Sequence, residues 1–297
     1  MSVRPRWLLP AAFVLLGLIW GSSFLWIKIA VDEIPPASLV AWRMGLGAVG
    51  MLLLLAVIRV PMPRGGREWL PLMVLGAINA AIPIFLISWG EQFVDSGTAA
   101  VLNSLTPIFS LLIAGVALRV EPVTGLRVGG LVLGFLGAAL LASRELDLRA
   151  VVLAALSYAF GASYARHRIQ STHRYVVAAG TLVFAAIDMA VLAVIADGGV
   201  VVPTQPETIL AVAWLGLLGS FVAYVCFFFL IEHLGATITS MVSYIFPVVG
   251  VALGVLVLGE QMDARLIVGT ALVLAGIIVV TLRYDAAVSR IPSGVRQ

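Results

Sequence analysis

The chain alternates long apolar runs with short polar links. Ten runs stand out, at 8–31, 35–58, 69–93, 97–118, 124–143, 148–167, 174–196, 208–232, 236–258 and 264–283. Each is close to the roughly 20 residues that a helix needs to cross the hydrocarbon core. Helices are required, because lipid offers backbone N–H and C=O groups no partner. The longest polar links, 59–68 and 197–207, are too short for a soluble domain. The pattern predicts an all-α polytopic membrane protein with ten transmembrane helices.

An even number of spans puts both termini on one side. With the N-terminus inside, Arg4, Arg6, Arg59, Arg64, Arg67, Arg119, Arg127, Arg166, Arg168, Arg174, Arg283, Arg290 and Arg296 fall on inside segments. Only Arg144, Arg149 and Arg265 fall outside. The positive-inside rule then gives an N-in/C-in topology. Composition agrees with the pattern: 62% of residues are hydrophobic and 11% are charged, against roughly 25% charged in soluble domains. The formal charge of +3 does not imply nucleic acid, because the arginines lie scattered in short links and form no basic face. Arg4 and Arg6 before an apolar stretch resemble a signal peptide, but the run exceeds signal length and lacks a small-residue cleavage pattern, so it reads as a retained first helix. The single cysteine, Cys226, excludes an intrachain disulfide and a cysteine metal cluster.

The two halves of the chain resemble each other. "GTAAVLNSLTPIFSLLIAGVALRVE" (97–121) is similar to "ATITSMVSYIFPVVGVALGVLVLGE" (236–260). Pro107 aligns with Pro247 and Gly76 with Gly216, both at an offset of 140. After a one-residue gap Glu121 aligns with Glu260, Gly130 with Gly269 and Gly137 with Gly276. In the first span of each half, Trp20 aligns with Tyr158 and Lys28 with Arg166. The division falls at 1–145 and 146–297. Five helices per half is an odd number, so the halves must be inverted relative to each other. Inverted repeats are common in secondary transporters, with the substrate site at the repeat interface near mid-membrane.

These features together carry a family resemblance. "IWGSSF" in the first span, "N-S-L-T-P" in the fourth and "L-G-E" before the tenth, set in a five-plus-five duplication, resemble the EamA-type branch of the drug/metabolite transporter superfamily. The chain is also similar to YddG-type exporters of aromatic amino acids, although no motif fixes the solute. The resemblance implies helices arranged around a central cavity, with spans 1, 3, 4, 6, 8 and 9 lining it and spans 5 and 10 behind. It implies export of small amphipathic metabolites, amino acids above all, across a bacterial inner membrane by alternating access. No cofactor is implied. The expected partners are a small-molecule substrate and the lipid bilayer, and the protein is expected as a monomer or homodimer.

Several residues could carry transport. Lys28, near the outer end of span 1, either snorkels to the interface or lines the outer vestibule and pairs with Glu91. Arg166 is its counterpart at the inner end of span 6. Arg43 lies deep in span 2, where a lipid-facing arginine costs roughly 2.5–3.5 kcal/mol. It needs a partner, and Asp188, at comparable depth in span 7, offers a structural ion pair. Asp188 is alternatively a proton-coupling group. Pro83, Pro107 and Pro247 predict mid-span kinks that serve packing or hinging. Ser23, Asn79, Asn103, Ser163, Ser243 and Tyr244 offer polar groups on cavity helices, and Trp20, Trp89, Tyr158, Tyr224 and Phe228 offer aromatic walls. Such a lining suits an amphipathic solute, although ordinary packing explains any one of these residues as well. The glycines of spans 5 and 10 read as close helix packing.

Other classes fit poorly. "GASY" at 161–164 only partly matches the Gly-x-Ser-Gly nucleophile of rhomboid proteases. There is no His-Glu-x-x-His zinc motif and no phosphate-binding P-loop, so no enzymatic activity is expected. The rivals are a passive channel, a non-transporting receptor, and an exporter of cationic drugs or other metabolites. Anionic phosphates would call for several buried cations, and only Lys28 and Arg43 lie in the spans.

Overall fold

The computed structural model describes residues 7–63, 65–111, 125–142, 148–168 and 172–281. Among these residues there are helices and turns but no strand. Six helical stretches are long and apolar enough to cross a membrane: Leu8–Val31, Pro36–Ile58, Gly66–Gly90, Arg174–Asp197, Pro206–Leu234 and Met241–Leu258. Shorter apolar helices cover Val128–Leu141, Ala150–Gly161 and Ala264–Val279. Large apolar side chains point outward, with Leu256 at 81% and Val57 at 79% exposed. A surface of that kind is suited to lipid.

Helix α1 (Leu8–Val31) turns tightly into α2 (Pro36–Ile58), which begins on Pro36. Proline fits there because a helix's first N–H groups have no intrahelical partner. The third run is α3 (Gly66–Gly76), a π-helical segment (Ala77–Ala81) and α4 (Ile82–Gly90). Next come α5 (Ser96–Asn103), α6 (Thr106–Leu111), α7 (Gly125–Ala142), α8 (Leu148–Arg168) and α9 (Arg174–Asp197). Helix α10 (Pro206–Ala213) leads through a second π-helical segment (Trp214–Val222) into α11 (Ala223–Ser240). A 3-10 turn (Met241–Tyr244), α12 (Ile245–Leu258) and α13 (Ala264–Thr281) follow.

The sequence duplication has a counterpart in this architecture. Moving the first π segment by 140 residues gives 217–221, inside the second. The break at Ser104–Leu105 answers the 3-10 turn at Met241–Tyr244. Packing follows the same exchange. Helix α1 lies against the second half's π segment, α11 and α12, while α8 lies against the first half's π segment, α4, α5 and α6. Helix α2 packs on α9, and α7 on α13. The last pair meets backbone to backbone. A Cβ on Gly137 would sit 2.7 Å from the Gly269 carbonyl oxygen, and one on Gly276 would sit 2.6 Å from that of Gly130. The contact moves down α7 as it moves up α13, so the two helices run antiparallel.

Three expectations change in detail. The mid-span prolines Pro83 and Pro247 stand just after irregular turns within the helical stretches Gly66–Gly90 and Met241–Leu258. They occupy the first turns of α4 and α12. Pro107 falls in the first turn of α6, although its side chain lies outside the described residues. A proline lacks the N–H that continues a helix, and the π and 3-10 turns before Pro83 and Pro247 rearrange the ladder. Second, no polar link separates the eighth and ninth runs, because α11 is helical through 233–235 as far as Ser240. The first half breaks at the corresponding place over the polar stretch Glu91–Asp95, whereas the second half carries Glu232 and His233 there and stays helical. Third, span 4 is two helices, α5 and α6, and its remainder beyond Leu111 lies outside the described residues.

Candidate functional site

The site is built on the two π segments. Widening a helix turn frees carbonyls from the i to i−4 ladder, and each π segment meets the first helix of the opposite half. Trp20 on α1 donates its indole N–H to the Gly219 carbonyl at 3.1 Å. Ser157 on α8 donates to the Ile78 carbonyl at 2.7 Å. Asn79, in the first π segment, packs its side chain against Gly161, where a Cβ would come within 2.6 Å of Oδ1.

Arg43 reaches this region from α2 and is only 6% exposed. Its Nε donates to Ser220 Oγ in the second π segment at 3.3 Å. The approach depends on small residues one and two turns along the same face of α2. A Cβ on Gly47 would lie 2.6 Å from Ser220 Cβ, and one on Gly50 would lie 2.7 Å from the Phe221 ring. Tyr158, Tyr224 and the Glu91 carboxylate stand within electrostatic reach of the guanidinium. Aromatic rings pack around Trp20 and Tyr224. Trp20 lies 5.4 Å from Phe227 and 6.1 Å from Phe246, and Tyr224 lies 6.3 Å from Phe228. Trp20, Tyr158, Tyr224 and Phe228 all keep partial accessibility.

The expected Arg43–Asp188 ion pair is not among the salt bridges of the described residues. The reason is azimuth. Met44, Ala48, Met51 and Leu55 form the stripe of α2 that shares a buried cluster with Ala178, Leu182 and Ala185 of α9. Arg43 is one residue away, about 100° around the helix, and faces the second π segment instead. Asp188 is half-buried on α9.

Lys28 does not pair with the Glu91 carboxylate. Its Nζ donates to the main-chain carbonyls of Glu91 at 2.5 Å and Val94 at 2.9 Å. A cation there satisfies the carbonyls that α4 leaves open at its C-terminus. Glu91 itself is fully buried, and neither carboxylate oxygen has a hydrogen-bond partner.

Other candidates are dispersed. Ser23 bonds within its own helix, to the Ile19 carbonyl at 3.1 Å. Asn103 ends α5, 8% exposed, with Oδ1 unpartnered. Tyr244 donates to the Ile277 carbonyl at 3.3 Å and so turns toward α13. Ser243 is half-buried in the 3-10 turn and Pro247 is buried on α12. The side chains of Ser163 and Arg166 lie outside the described residues. Trp89 pairs with Phe93 at 5.3 Å and lines a separate cavity of about 470 Å³. That cavity lies at the end of the bundle where α1 meets α2, between Ile34, Phe85, Gln92, Leu192 and Asp197. Arg43 is seven residues beyond Pro36, about 10 Å further into the bundle.

The sequence reading missed Ser157, Ser220 and Glu33. The Glu33 carboxylate accepts from Thr204 N at 2.7 Å and Gln205 N at 3.1 Å at the start of α10. Hydrogen bonds, first from the Thr204 side chain and then from Thr208, hold its pKa down to about 2.

Several relatives of the chain are named as transporters or exporters. The chain is 27% identical over 280 residues to the transporter YoaV of Bacillus subtilis, covering 90% of this chain and 94% of that one. It is 28% identical over 284 residues to a probable terminal-alkyne amino-acid exporter of Streptantibioticus cattleyicolor, covering 92% and 93%. The inner membrane transporter YedA of Escherichia coli K12 is 26% identical over 296 residues, covering 94% and 93%. A crystal structure at 21% identity shares the fold with a TM-score of 0.67, covering 95% of this chain and 99% of that one. The sequence model of the EamA-like transporter family matches residues 8–143 and again 148–282, so the chain belongs to that family.

Proposed function

We propose that the protein is a secondary transporter that exports small amphipathic metabolites, most of all amino acids, across a bacterial inner membrane. Ten spans lie N-in/C-in as two inverted five-helix repeats, divided at 145/146. The substrate site lies between the repeats, and alternating access opens it to each side in turn. The observation that carries this reading is the buried polar centre shared by the halves. Arg43 comes from the first half; Ser220, Tyr158 and Tyr224 come from the second. A group that both halves must build is remade whenever they move against each other. The exporter from Streptantibioticus supports the choice of solute class, and the aromatic walls suit the YddG-type likeness. A monomer or homodimer in lipid suffices for this mechanism.

The test is flux into and out of proteoliposomes with labelled phenylalanine, leucine and threonine. Saturable flux with counterflow is expected, together with a loss in Trp20→Ala. Linear, non-saturating flux would make the protein a channel. Flux of lipophilic cations without amino acids would replace the solute class.

A further inference from the structure

A buried guanidinium is costly unless its charge is matched and its donors are used. Arg43 has five N–H donors, and only Nε has a hydrogen-bond partner, the Ser220 hydroxyl at 3.3 Å. No carboxylate lies within 4.0 Å of it among the described residues. The hydroxyls of Tyr158 and Tyr224, within electrostatic reach of the guanidinium, likewise make no hydrogen bond within the described protein. Arg43 and the two tyrosines therefore keep donors unused at this interface, and the Glu91 carboxylate, also within electrostatic reach, stays beyond salt-bridge distance. The Gly219 backbone flanks the group, since a Cβ there would stand 3.4 Å from Ser23 Oγ and 3.6 Å from the guanidinium Nη2.

We infer that Arg43, with Tyr158 and Tyr224, is the receptor for a single carboxylate on the transported solute. This inference rests on the transport reading and deepens it. The guanidinium fork matches a carboxylate through two parallel hydrogen bonds. The tyrosine hydroxyls supply further donors. Trp20 and Phe228 provide apolar walls for the remainder of the solute. Lys28 is held by main-chain carbonyls elsewhere, so a dicarboxylate or a phosphate dianion would meet a single cation here, with the Glu91 carboxylate already within its electrostatic reach. The class is a monocarboxylate with an apolar or weakly polar side chain, free amino acids included. Because the cation and the hydroxyls come from opposite halves, the solute's carboxylate bridges the two repeats.

The test measures binding and flux separately. Ligand-induced shifts of the melting temperature of purified protein are recorded for phenylalanine, leucine and threonine, for their carboxamides, and for 3-phenylpropanoate. Wild type is expected to prefer acid over amide by at least about tenfold in apparent affinity, with 3-phenylpropanoate binding as well. Arg43→Gln is expected to abolish that preference, and Tyr224→Phe, which keeps the ring, to reduce acid binding severalfold while sparing the amide. Equal binding of acid and amide by wild type overturns the inference and leaves the exporter standing if flux is present. An acid preference that survives in both variants also overturns it. Acid binding that depends on Arg43, without flux in vesicles, supports the carboxylate site and overturns the transport reading. No binding of any solute, together with no flux, overturns both.

Discussion

Replacing Glu260 should unfasten the two halves at one end of the bundle. Gly259 ends α12 in a left-handed conformation at φ 71°, a geometry that glycine adopts without steric cost. The chain then turns so that Glu260 reaches the start of α5. Its carboxylate accepts from Ser96 N at 2.7 Å and Gly97 N at 3.1 Å. These first-turn N–H groups have no acceptor within the helix. Ser96 is fully buried and Glu260 half-buried, so water can replace the carboxylate only in part. Hydrogen bonds to a charged group contribute about 1.5–3 kcal/mol each. The longer bond belongs at the lower end of that range, and Glu260→Ala should cost about 3–5 kcal/mol. Glu260→Gln keeps one acceptor but turns an NH₂ toward the other N–H, and should cost about 1–3 kcal/mol. The assay is reversible SDS titration from mixed micelles followed by tryptophan fluorescence, in which about 1.4 kcal/mol is a tenfold change in the equilibrium constant. A Glu260→Ala cost below about 0.5 kcal/mol would refute the capping argument, as would a glutamine variant weaker than the alanine one.

Three further outcomes follow from the geometry. Gly276→Ala drives a methyl to 2.6 Å from the Gly130 carbonyl oxygen and 2.9 Å from Gly134 Cα; neither contact can yield by side-chain rotation, so the same titration should show a loss of about 1–3 kcal/mol. Glu33 is held low on folding, so its stabilising contribution is complete above its ordinary value of 4.5 and is lost as pH falls through about 2; an acid melt of Glu33→Gln should lack that component, and an unchanged acid limb would refute the assignment. Trp20→Phe removes the N–H that holds the Gly219 carbonyl and should cost about 1 kcal/mol with reduced flux, whereas wild-type stability and flux would show that the indole bond has no part in the site.

The helices were legible because a membrane span announces itself in composition and length. The repeat was legible too: Gly130, Gly137, Gly269 and Gly276 recur at fixed spacing, and they meet at the α7–α13 contact. The two π segments left no such trace. Their residues are as apolar as their surroundings, and hydropathy does not report which carbonyls are free. Ser157 and Ser220 were missed for the same reason, since a lone serine in a span is common and its value comes from the carbonyl or guanidinium beside it. Depth was readable for Arg43, but azimuth was not. Counting residues put Arg43 and Asp188 at one level, while the neighbouring Met44 stripe, not Arg43, turned toward α9. Lys28 shows the complementary limit. Its proximity to Glu91 was anticipated, but its bonds go to the main chain, and sequence patterns carry little information about backbone acceptors.

The antiparallel glycine contact between α7 and α13 also bears on how far the two halves depend on the peptide link between them. Its two faces are equivalents of each other, since Gly137 meets Gly269 and Gly276 meets Gly130. A surface that fits its own repeat, reversed, is self-complementary in the sense of a twofold dimer interface. The hydrogen bonds from Trp20 to Gly219 and from Ser157 to Ile78, like the contact between Arg43 and Ser220, join the halves without requiring the peptide chain to continue from one to the other. The molecule can therefore be regarded as two half-chains that dock as the subunits of a dimer do, with the peptide link added to an interface that already closes. Severing it at 145/146 and co-expressing the two pieces should return an assembled pair, and a failure of the pieces to co-purify would show that covalent continuity has become indispensable.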